Sequence, residues 1–145
     1  ISYYTSNDQK NFLNPEGMYG FTWEQAASKY HITYILGNNA PGSIHGTPER
    51  FKEAGIASGY SFRIDDFRIK GDSSAVKITN SGIAPIYRNA FIAVNGVRSG
   101  YNLTQLLPDS SVWTKIPSGG KNPVLSIECD HLLPGKKIEF EANIQ

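Results

Sequence analysis

The sequence predicts a mainly β protein, in which an antiparallel β-sandwich at residues 60–145 follows a small α/β segment at residues 1–59. From Tyr60 onward, short stretches alternate apolar and polar residues and are separated by Gly, Pro and Asn, a pattern typical of a β-sandwich. Before Gly59 the pattern indicates a helix, a strand and a second helix. The change of pattern at Gly59 therefore predicts two unlike parts. The first is expected to pack on the second, because one strand cannot bury itself.

A capping box predicts where the first helix begins. The Thr22 hydroxyl can accept a hydrogen bond from the Gln25 amide while the Gln25 side chain reaches back, which starts a helix over residues 23–30. The β-branched and aromatic residues 31–36 follow directly, and this composition predicts a buried strand.

The second helix is predicted over residues 48–54. Thr47 is a good N-cap, Pro48 suits the first helical turn, and Gly55 lies where a helix would end. Residues 1–21 are interpreted as irregular. We expect the whole segment to bury large side chains against the sandwich, namely Tyr30, Ile32, Tyr34, Ile35 and Phe51.

The strands of the sandwich are predicted face by face, because alternate residues of a strand point to opposite sides of the sheet. Clean alternation predicts half-buried strands at residues 74–80, 123–130 and 137–144, and the turn signal at Pro108 and Asp109 predicts a further strand at residues 111–116. Residues 89–95 are apolar on both faces, which predicts a central strand that ends in a turn at Asn95 and Gly96. In residues 60–70 the alternation changes phase at Asp65 and Asp66, which predicts either a bulge or a crossing between sheets.

Composition narrows the classes of partner. The 145-residue chain has a formal net charge of +1 with scattered Lys and Arg, so we expect no nucleic-acid partner and no attraction to anionic lipid. It contains no apolar run of about 18 residues, and so no membrane span is predicted. The single cysteine, Cys129, excludes an intrachain disulfide and a thiolate metal site. Since Cys129 shares a strand face with Leu125 and Ile127, we interpret it as a buried structural thiol.

One segment resembles a known group of proteins. Residues 80–87, with the sequence NSGIAPIY, resemble part of the C-terminal immunoglobulin-like sandwich of poorly characterised secreted bacterial proteins, where the sandwich follows a glycoside-hydrolase-like β/α barrel. Residues 55–60 look like the junction, and residues 22–55 are similar to the last strand and helix of such a barrel. The resemblance implies an immunoglobulin-like fold, a secreted or cell-surface bacterial location, and a catalytic domain in the same parent protein.

Trp113 is the strongest candidate for a ligand-binding residue. It shares a predicted strand face with the polar residues Ser111 and Lys115. An exposed indole can lie against the C–H face of a sugar, with a few polar groups nearby to bind hydroxyls. The alternative is that a loop or the N-terminal segment covers the ring. Further candidates flank turns and would supply the edges of the same surface: Tyr87, Arg88, Tyr101 and Asn102. Tyr87 could instead anchor a corner through its hydroxyl.

The charged residues give little sign of catalysis. Two carboxylate pairs, Glu128 with Asp130 and Glu139 with Glu141, lie on outward faces, where solubility explains them, and we expect no enzyme activity. The three histidines lack the spacing of a zinc site. One candidate calcium site remains, formed by Asp65, Asp66 and Asp72 with turn carbonyls.

These features favour a non-catalytic carbohydrate-binding module for a plant or microbial polysaccharide. The main alternative is a structural accessory domain that supports a catalytic barrel and has no ligand of its own. A small hydrolase is the third and least supported hypothesis.

Overall fold

The computed structural model describes residues 6–34 and 44–142. The chain divides into two compact units, Ile1–Gly59 and Tyr60–Gln145. Helices dominate the described part of the first unit, and the second is mainly β. No helix within the described residues is both long enough and apolar enough to cross a membrane.

The first unit contains three helices: α1 Ser6–Asn11, α2 Trp23–Tyr30 and α3 Pro48–Ile56. The bounds of α2 and its capping box are confirmed, with the Gln25 amide donating to the Thr22 hydroxyl at 3.2 Å. The start of α3 is also confirmed, since the Thr47 hydroxyl accepts from the Arg50 amide at 3.1 Å. The N-termini of α2 and α3 could be predicted because a helix cap depends only on residues that are close in sequence.

Other predictions for this unit were wrong. Helix α1 lies in the stretch interpreted as irregular, and its polar sequence carries no apolar period that would reveal it. Helix α3 continues through Gly55 and ends at Ile56. Gly55 does not adopt the left-handed conformation that would end a helix, and there is open space where its side chain would lie.

The predicted strand at residues 31–36 is absent from its described part, residues 31–34, while residues 35 and 36 lie outside the described residues. His31 adopts the left-handed conformation as the cap of α2, and the Ile32 amide bonds back to the Ala27 carbonyl at 3.0 Å. Residues 32–34 then continue without regular secondary structure, and the Gly59 amide donates to the Ile32 carbonyl at 2.8 Å. One such bond is not a ladder, so no strand forms.

An aromatic cluster organises the first unit. The Trp23 ring lies edge-on to Phe12 with centroids 6.0 Å apart, and Phe51 approaches Phe12 at 6.2 Å. The Trp23 indole N–H donates to the Ala54 carbonyl at 3.0 Å, which joins α2 to α3. Tyr30 and Tyr34, expected to be buried, are exposed.

The second unit has two sheets, whose strand orders are β5-β2-β1-β7 and β4-β3-β6. A short 3-10 helix, Leu103–Gln105, precedes β5. The strands are β1 Phe62–Lys70, β2 Ser73–Asn80, β3 Ala90–Val94, β4 Val97–Arg98, β5 Ser110–Ile116, β6 Leu125–Cys129 and β7 Glu141–Ala142.

Both sheets contribute apolar side chains to one core, which supports the prediction of two β layers. The four-stranded sheet contributes Phe62, Ile64, Val76, Ile78 and Ile116, and the three-stranded sheet contributes Ala90, Ile92, Val94 and Ile127. The predicted alternation is confirmed in β2 and β5. In β6 only Ile127 is buried, while Leu125 and Cys129 pack partly on the core, so Cys129 is half-buried and not the buried thiol that was predicted. Strand β3 is buried along most of its length and pairs on both sides, as expected for a central strand.

The bulge predicted in β1 is confirmed. The register with β2 shifts between Ile64, opposite Ile78, and Asp66, opposite Lys77, so Asp65 is the extra residue. After the shift Phe67 lies opposite Val76 and packs on the core. The bulge therefore lets both ends of β1 contribute to one core.

The last strand is much shorter than predicted. Instead of residues 137–144, only Glu141–Ala142 form a strand, and β7 is parallel to β1, so the four-stranded sheet is not wholly antiparallel. Ile138 is buried and Phe140 partly buried, as expected, but Ala142 is exposed and residue 144 lies outside the described residues. Residues 137–140 supply core contacts without a strand partner, because alternation reports burial and not hydrogen bonding.

The end of β2 is fixed by the buried side chain of Asn80. Its amide nitrogen donates to the carbonyls of Ala84 at 3.0 Å and Leu106 at 3.1 Å. Its side-chain oxygen accepts from the amides of Ser61 at 3.3 Å and Gly82 at 3.0 Å. One side chain thus holds together three segments of the second unit.

Candidate functional site

The candidate site lies on the side of the four-stranded sheet that faces away from the core, which we call the outer face. Trp113, in the middle of edge strand β5, is 45% exposed on this face. The side chains of Ser111 and Lys115 lie on the same side and are exposed, whereas Thr114 and Ile116 are buried. The expected orientation of Trp113 is therefore confirmed.

Arg68 covers part of the indole. Its guanidinium carbon lies 4.7 Å from the centre of the Trp113 ring. Arg68 belongs to β1 and Trp113 to β5, with β2 between them, so the two side chains together bridge two strand spacings, or about 10 Å. The residue of β2 opposite Arg68 is Ala75, whose small side chain leaves space for this crossing.

An ion pair holds Arg68 in this position. Its guanidinium donates to both carboxylate oxygens of Asp66, with a shortest distance of 2.6 Å. These hydrogen bonds raise the pKa of Arg68, and the group stays charged. The indole is thus held between its strand and a fixed cation, an arrangement that favours a single ring orientation.

Two lysines complete the surroundings of the ring. Lys77 lies directly across from Trp113 in the register of β2 and β5, and Lys115 follows two residues along β5. We call Trp113, Arg68, Lys77 and Lys115 the Trp113 patch. The ion pairs of the described outer face use Arg63 and Arg68, and neither lysine ammonium belongs to one of them.

A second group of polar residues lies beside the patch. Asp65, the bulge residue, accepts hydrogen bonds from the Thr79 hydroxyl and from Arg63 at 2.7 Å. The Thr79 bond first, and then the Arg63 bond, lower the pKa of Asp65 below its usual range, with a smaller contribution from the charge of Lys77. Asp65 therefore stays ionised and contributes a fixed acceptor to the outer face.

The other predicted binding residues lie away from the Trp113 patch. Tyr87 and Arg88 are exposed in the connection between β2 and β3, while Tyr101 packs partly on the core. Asn102 accepts from the Thr104 amide at 3.2 Å and donates to Asn89 at 2.9 Å, so its carboxamide is used within the fold.

Asn89 lies in the connection between β2 and β3, and Asn102 lies in the connection between β4 and β5. Their contact brings the two connections together at the end of the unit where Ser110 pairs with Asn80. Trp113 is three residues further along β5, about 10 Å from that end. The structure thus places the five predicted residues in two separate places.

Sequence reasoning missed the cations around Trp113. Arg68 and Lys77 are far from Trp113 in sequence, and only the register of three strands brings them together.

Exposed aromatic residues in the first unit were missed as well. A tight turn with positive φ at Tyr19 and Gly20 leaves Tyr19 74% exposed. The Lys29 ammonium lies 4.5 Å from the Phe21 ring centre and 5.7 Å from that of Tyr30. The dipeptide Tyr19-Gly20 between Met18 and Phe21 is the signal that could have revealed the turn.

The carboxylates of one predicted pair, Glu128 and Asp130, have structural partners. Asp130 pairs with Arg98 at 2.7 Å, and Glu128 accepts from the Ser126 hydroxyl at 2.9 Å. No three His, Cys, Asp or Glu side chains among residues 6–34 and 44–142 come together to hold a metal ion. The calcium site expected at Asp65, Asp66 and Asp72 is therefore not formed, because the first two carboxylates pair with arginines.

No protein-family model, curated protein or solved structure matches this chain. Function is therefore inferred from the geometry of the two units. The outer face around Trp113 is the surface where an exposed aromatic ring and polar side chains coincide on regular strands.

Proposed function

We propose that the second unit is a non-catalytic carbohydrate-binding module with an immunoglobulin-like sandwich fold, and that the Trp113 patch holds the polysaccharide. The observation that carries this proposal is the 45% exposed indole in the middle of a polar sheet face. Tryptophan is costly to leave in water, so a ring kept there by regular strand geometry suits contact with a ligand.

The chemistry of the outer face suits a sugar. The apolar side of a pyranose can stack on the indole, while carboxylate, hydroxyl and cationic groups hydrogen-bond to the ring substituents. Asp65, Thr79 and Lys77 provide such groups on the strands beside β5. These residues lie on paired strands and not on loops, so the surface is largely formed before a ligand binds, which lowers the entropic cost of binding.

The resemblance of residues 80–87 supports the wider setting. It favours a secreted or cell-surface bacterial protein, in which this unit accompanies a catalytic domain that acts on the same polysaccharide.

A ligand-free accessory domain is the second candidate function, and one contact favours it. Arg68 already stacks on Trp113 and pairs with Asp66. If this stack serves only to cover the ring, the outer face needs no ligand. The two functions predict different results for the same substitution.

Affinity electrophoresis of the full chain against a panel of neutral and acidic polysaccharides tests the proposal. We expect Trp113→Ala to weaken binding about 5- to 150-fold, since aromatic stacking on a planar ligand is worth about 1 to 3 kcal/mol. The control is Leu107→Ala, which removes a 58% exposed apolar side chain outside the patch and should leave affinity unchanged.

The melting temperature separates the two candidate functions. For a binding role, Trp113→Ala should leave it nearly unchanged, because the ring contributes little to the core. Loss of the fold on Trp113→Ala, or the absence of binding to every polysaccharide tested, would favour the accessory domain. Retained glycan affinity in a folded Trp113→Ala variant would move the site elsewhere, with Tyr19, Phe21 and Tyr30 next to be tested.

A further inference from the structure

We propose that the Trp113 patch selects acidic polysaccharides, and in particular polyuronates, which carry one carboxylate on each sugar. This inference rests on the proposed function, because it names the class of glycan for the same site. It comes from the charges around the indole and not from the charge of the whole chain.

The patch has an excess of positive charge. Three cations surround Trp113, namely Arg68, Lys77 and Lys115, and one carboxylate, Asp66, pairs with the first of them. Three positive charges less one negative charge leave two, carried by the lysines. The charge of Asp65, which lies near Lys77, is offset by its own partner Arg63. The formal charge of the entire chain is only +1, so this local excess is concentrated on one small surface.

The spacing suits a carboxylate at the edge of a stacked sugar. Side chains directly opposite on antiparallel strands have Cβ atoms about 4.5 to 5.5 Å apart, which places the stem of Lys77 beside the indole. Lys115 begins about 7 Å further along the strand. A uronate can therefore place its C–H face on Trp113 while its carboxylate reaches an ammonium at the side.

Arg68 adds a directional contact. Its guanidinium is fixed on the ring by Asp66, so the N–H groups that Asp66 does not use are oriented before binding. Guanidinium groups bind carboxylates through paired hydrogen bonds, whereas lysines act as point charges. A uronate would meet both kinds of cation at one ring.

The same face is less suited to nucleic acid, the other common polyanion. Single-stranded nucleic acid is held by successive aromatic rings along a basic groove, and this face offers one ring. The carboxylates of Asp65 and Asp66 lie beside it, so closely spaced phosphates would be repelled. Sugar hydroxyls, in contrast, can donate hydrogen bonds to these carboxylates.

A matched pair of polymers tests the inference on the full chain. Polygalacturonate and its fully methyl-esterified form share a backbone, but only the first is charged. We expect tighter binding of the acid form and a loss of about tenfold between about 50 and 200 mM salt, as for a contact that releases two counterions. The esterified polymer should bind more weakly and without this dependence on salt.

Variants locate the effect. Lys77→Gln and Lys115→Gln should each weaken binding of the acid about fivefold at low salt and make its salt dependence shallower. Binding of the ester should weaken less than binding of the acid, because the ester loses no charge pairing. Lys77→Arg should retain acid binding. Lys136→Gln, in the turn at Pro134 and Gly135, removes an exposed charge elsewhere and serves as the control.

The outcomes distinguish this inference from the proposed function. Equal affinity for acid and ester, or binding of neutral glycans alone, would overturn the acidic preference and leave a carbohydrate-binding module. No binding to any glycan would overturn both. Competition by an oligothymidine as strong as by polygalacturonate would show a general polyanion surface and also overturn the preference.

Discussion

Asn80 shows how much one buried polar side chain contributes to the second unit. Its carboxamide is fully buried, and both of its ends are hydrogen-bonded to the backbone. A buried amide without partners would cost more than a typical core contact contributes, because each unsatisfied group loses its hydration. The residue is therefore a specific requirement of this fold.

We expect Asn80→Ala to lower the free energy of unfolding by about 2 to 4 kcal/mol, because it leaves several buried backbone groups unpaired. Urea denaturation of the full chain would measure this. Asn122→Ala, at an exposed position, is the matched control and should change stability by less than about 0.5 kcal/mol. Equal effects of the two substitutions would show that the hydrogen bonds of Asn80 contribute little.

A pH effect is expected at Glu24. The Arg50 guanidinium donates to both carboxylate oxygens of Glu24, at 3.1 Å for Oε2, and donates through Nε to the Leu13 carbonyl at 3.0 Å. The hydrogen bonds from Arg50 lower the pKa of Glu24. The folded state thus binds a proton less readily than the unfolded state, and the pair stabilises the protein above the unfolded pKa of about 4.3.

This stabilisation should disappear as the pH falls below about 4 through the lowered pKa. For a pair that is partly exposed, we expect the unfolding free energy of the wild type to exceed that of Glu24→Gln by about 0.2 to 1 kcal/mol at pH 7, and by steadily less as the pH falls below the unfolded pKa. Unfolding free energies of both proteins across this range would measure it. A difference that does not change with pH would contradict the assignment.

At the scale of elements, the bulge in β1 decides which side chains reach the core. Ile78 in β2 is fully buried, whereas Ile69, near the end of β1 after the bulge, is 45% exposed. The two isoleucines belong to paired strands, yet their environments differ. They form a matched pair for a test of how much each position is buried.

Ile78→Ala should lower the free energy of unfolding by about 2 to 5 kcal/mol, since burial is lost and a cavity remains. Ile69→Ala should cost clearly less, about 0.5 to 1 kcal/mol, because much of its side chain is already in water. Chemical denaturation would measure both. A cost for Ile69→Ala as large as that for Ile78→Ala would show that Ile69 packs on the core as fully as Ile78.

The elements that could be predicted from sequence are those whose signals are local. The cap of α2 depends on Thr22 and Gln25, and the bulge depends on the phase change at Asp65. The extent of the last strand could not be predicted, because Ile138 and Phe140 show the alternation of a strand while contacting the core without a ladder. Pairing depends on the partner strand, which a single segment does not encode.

The candidate site was predictable only in part for the same reason. The alternation of β5 predicted that Trp113 faces outward, and the structure confirms this orientation. The stacking of Arg68 depends on the bulge, on the register of β1 with β2, and on the small residue Ala75 between the strands. No local pattern combines these conditions.

For the whole molecule, the two units have separate clusters of buried residues. The cluster described for the second unit is formed entirely by residues between Phe62 and Ile138. It should therefore fold without the first 59 residues. Residues 60–145 expressed alone are expected to unfold cooperatively in urea and to give the far-ultraviolet circular dichroism spectrum of a mainly β protein.

The same experiment tests the prediction that residues 1–59 pack on the sandwich. Packing of large apolar side chains would lower the melting temperature of the shorter chain below that of the full chain. Identical melting temperatures would contradict this prediction, while failure of residues 60–145 to fold would contradict the assignment of an independent core.

The position of β5 at the edge of its sheet has a consequence for solubility. Along its seven residues, backbone groups on the side away from β2 are available to pair with a strand of another molecule. Lys115 places a charge on this edge, and Pro117 stops it from extending beyond Ile116. Lys115 thus acts as a gatekeeper against aggregation, and changes that make this strand more apolar would favour fibrous assembly.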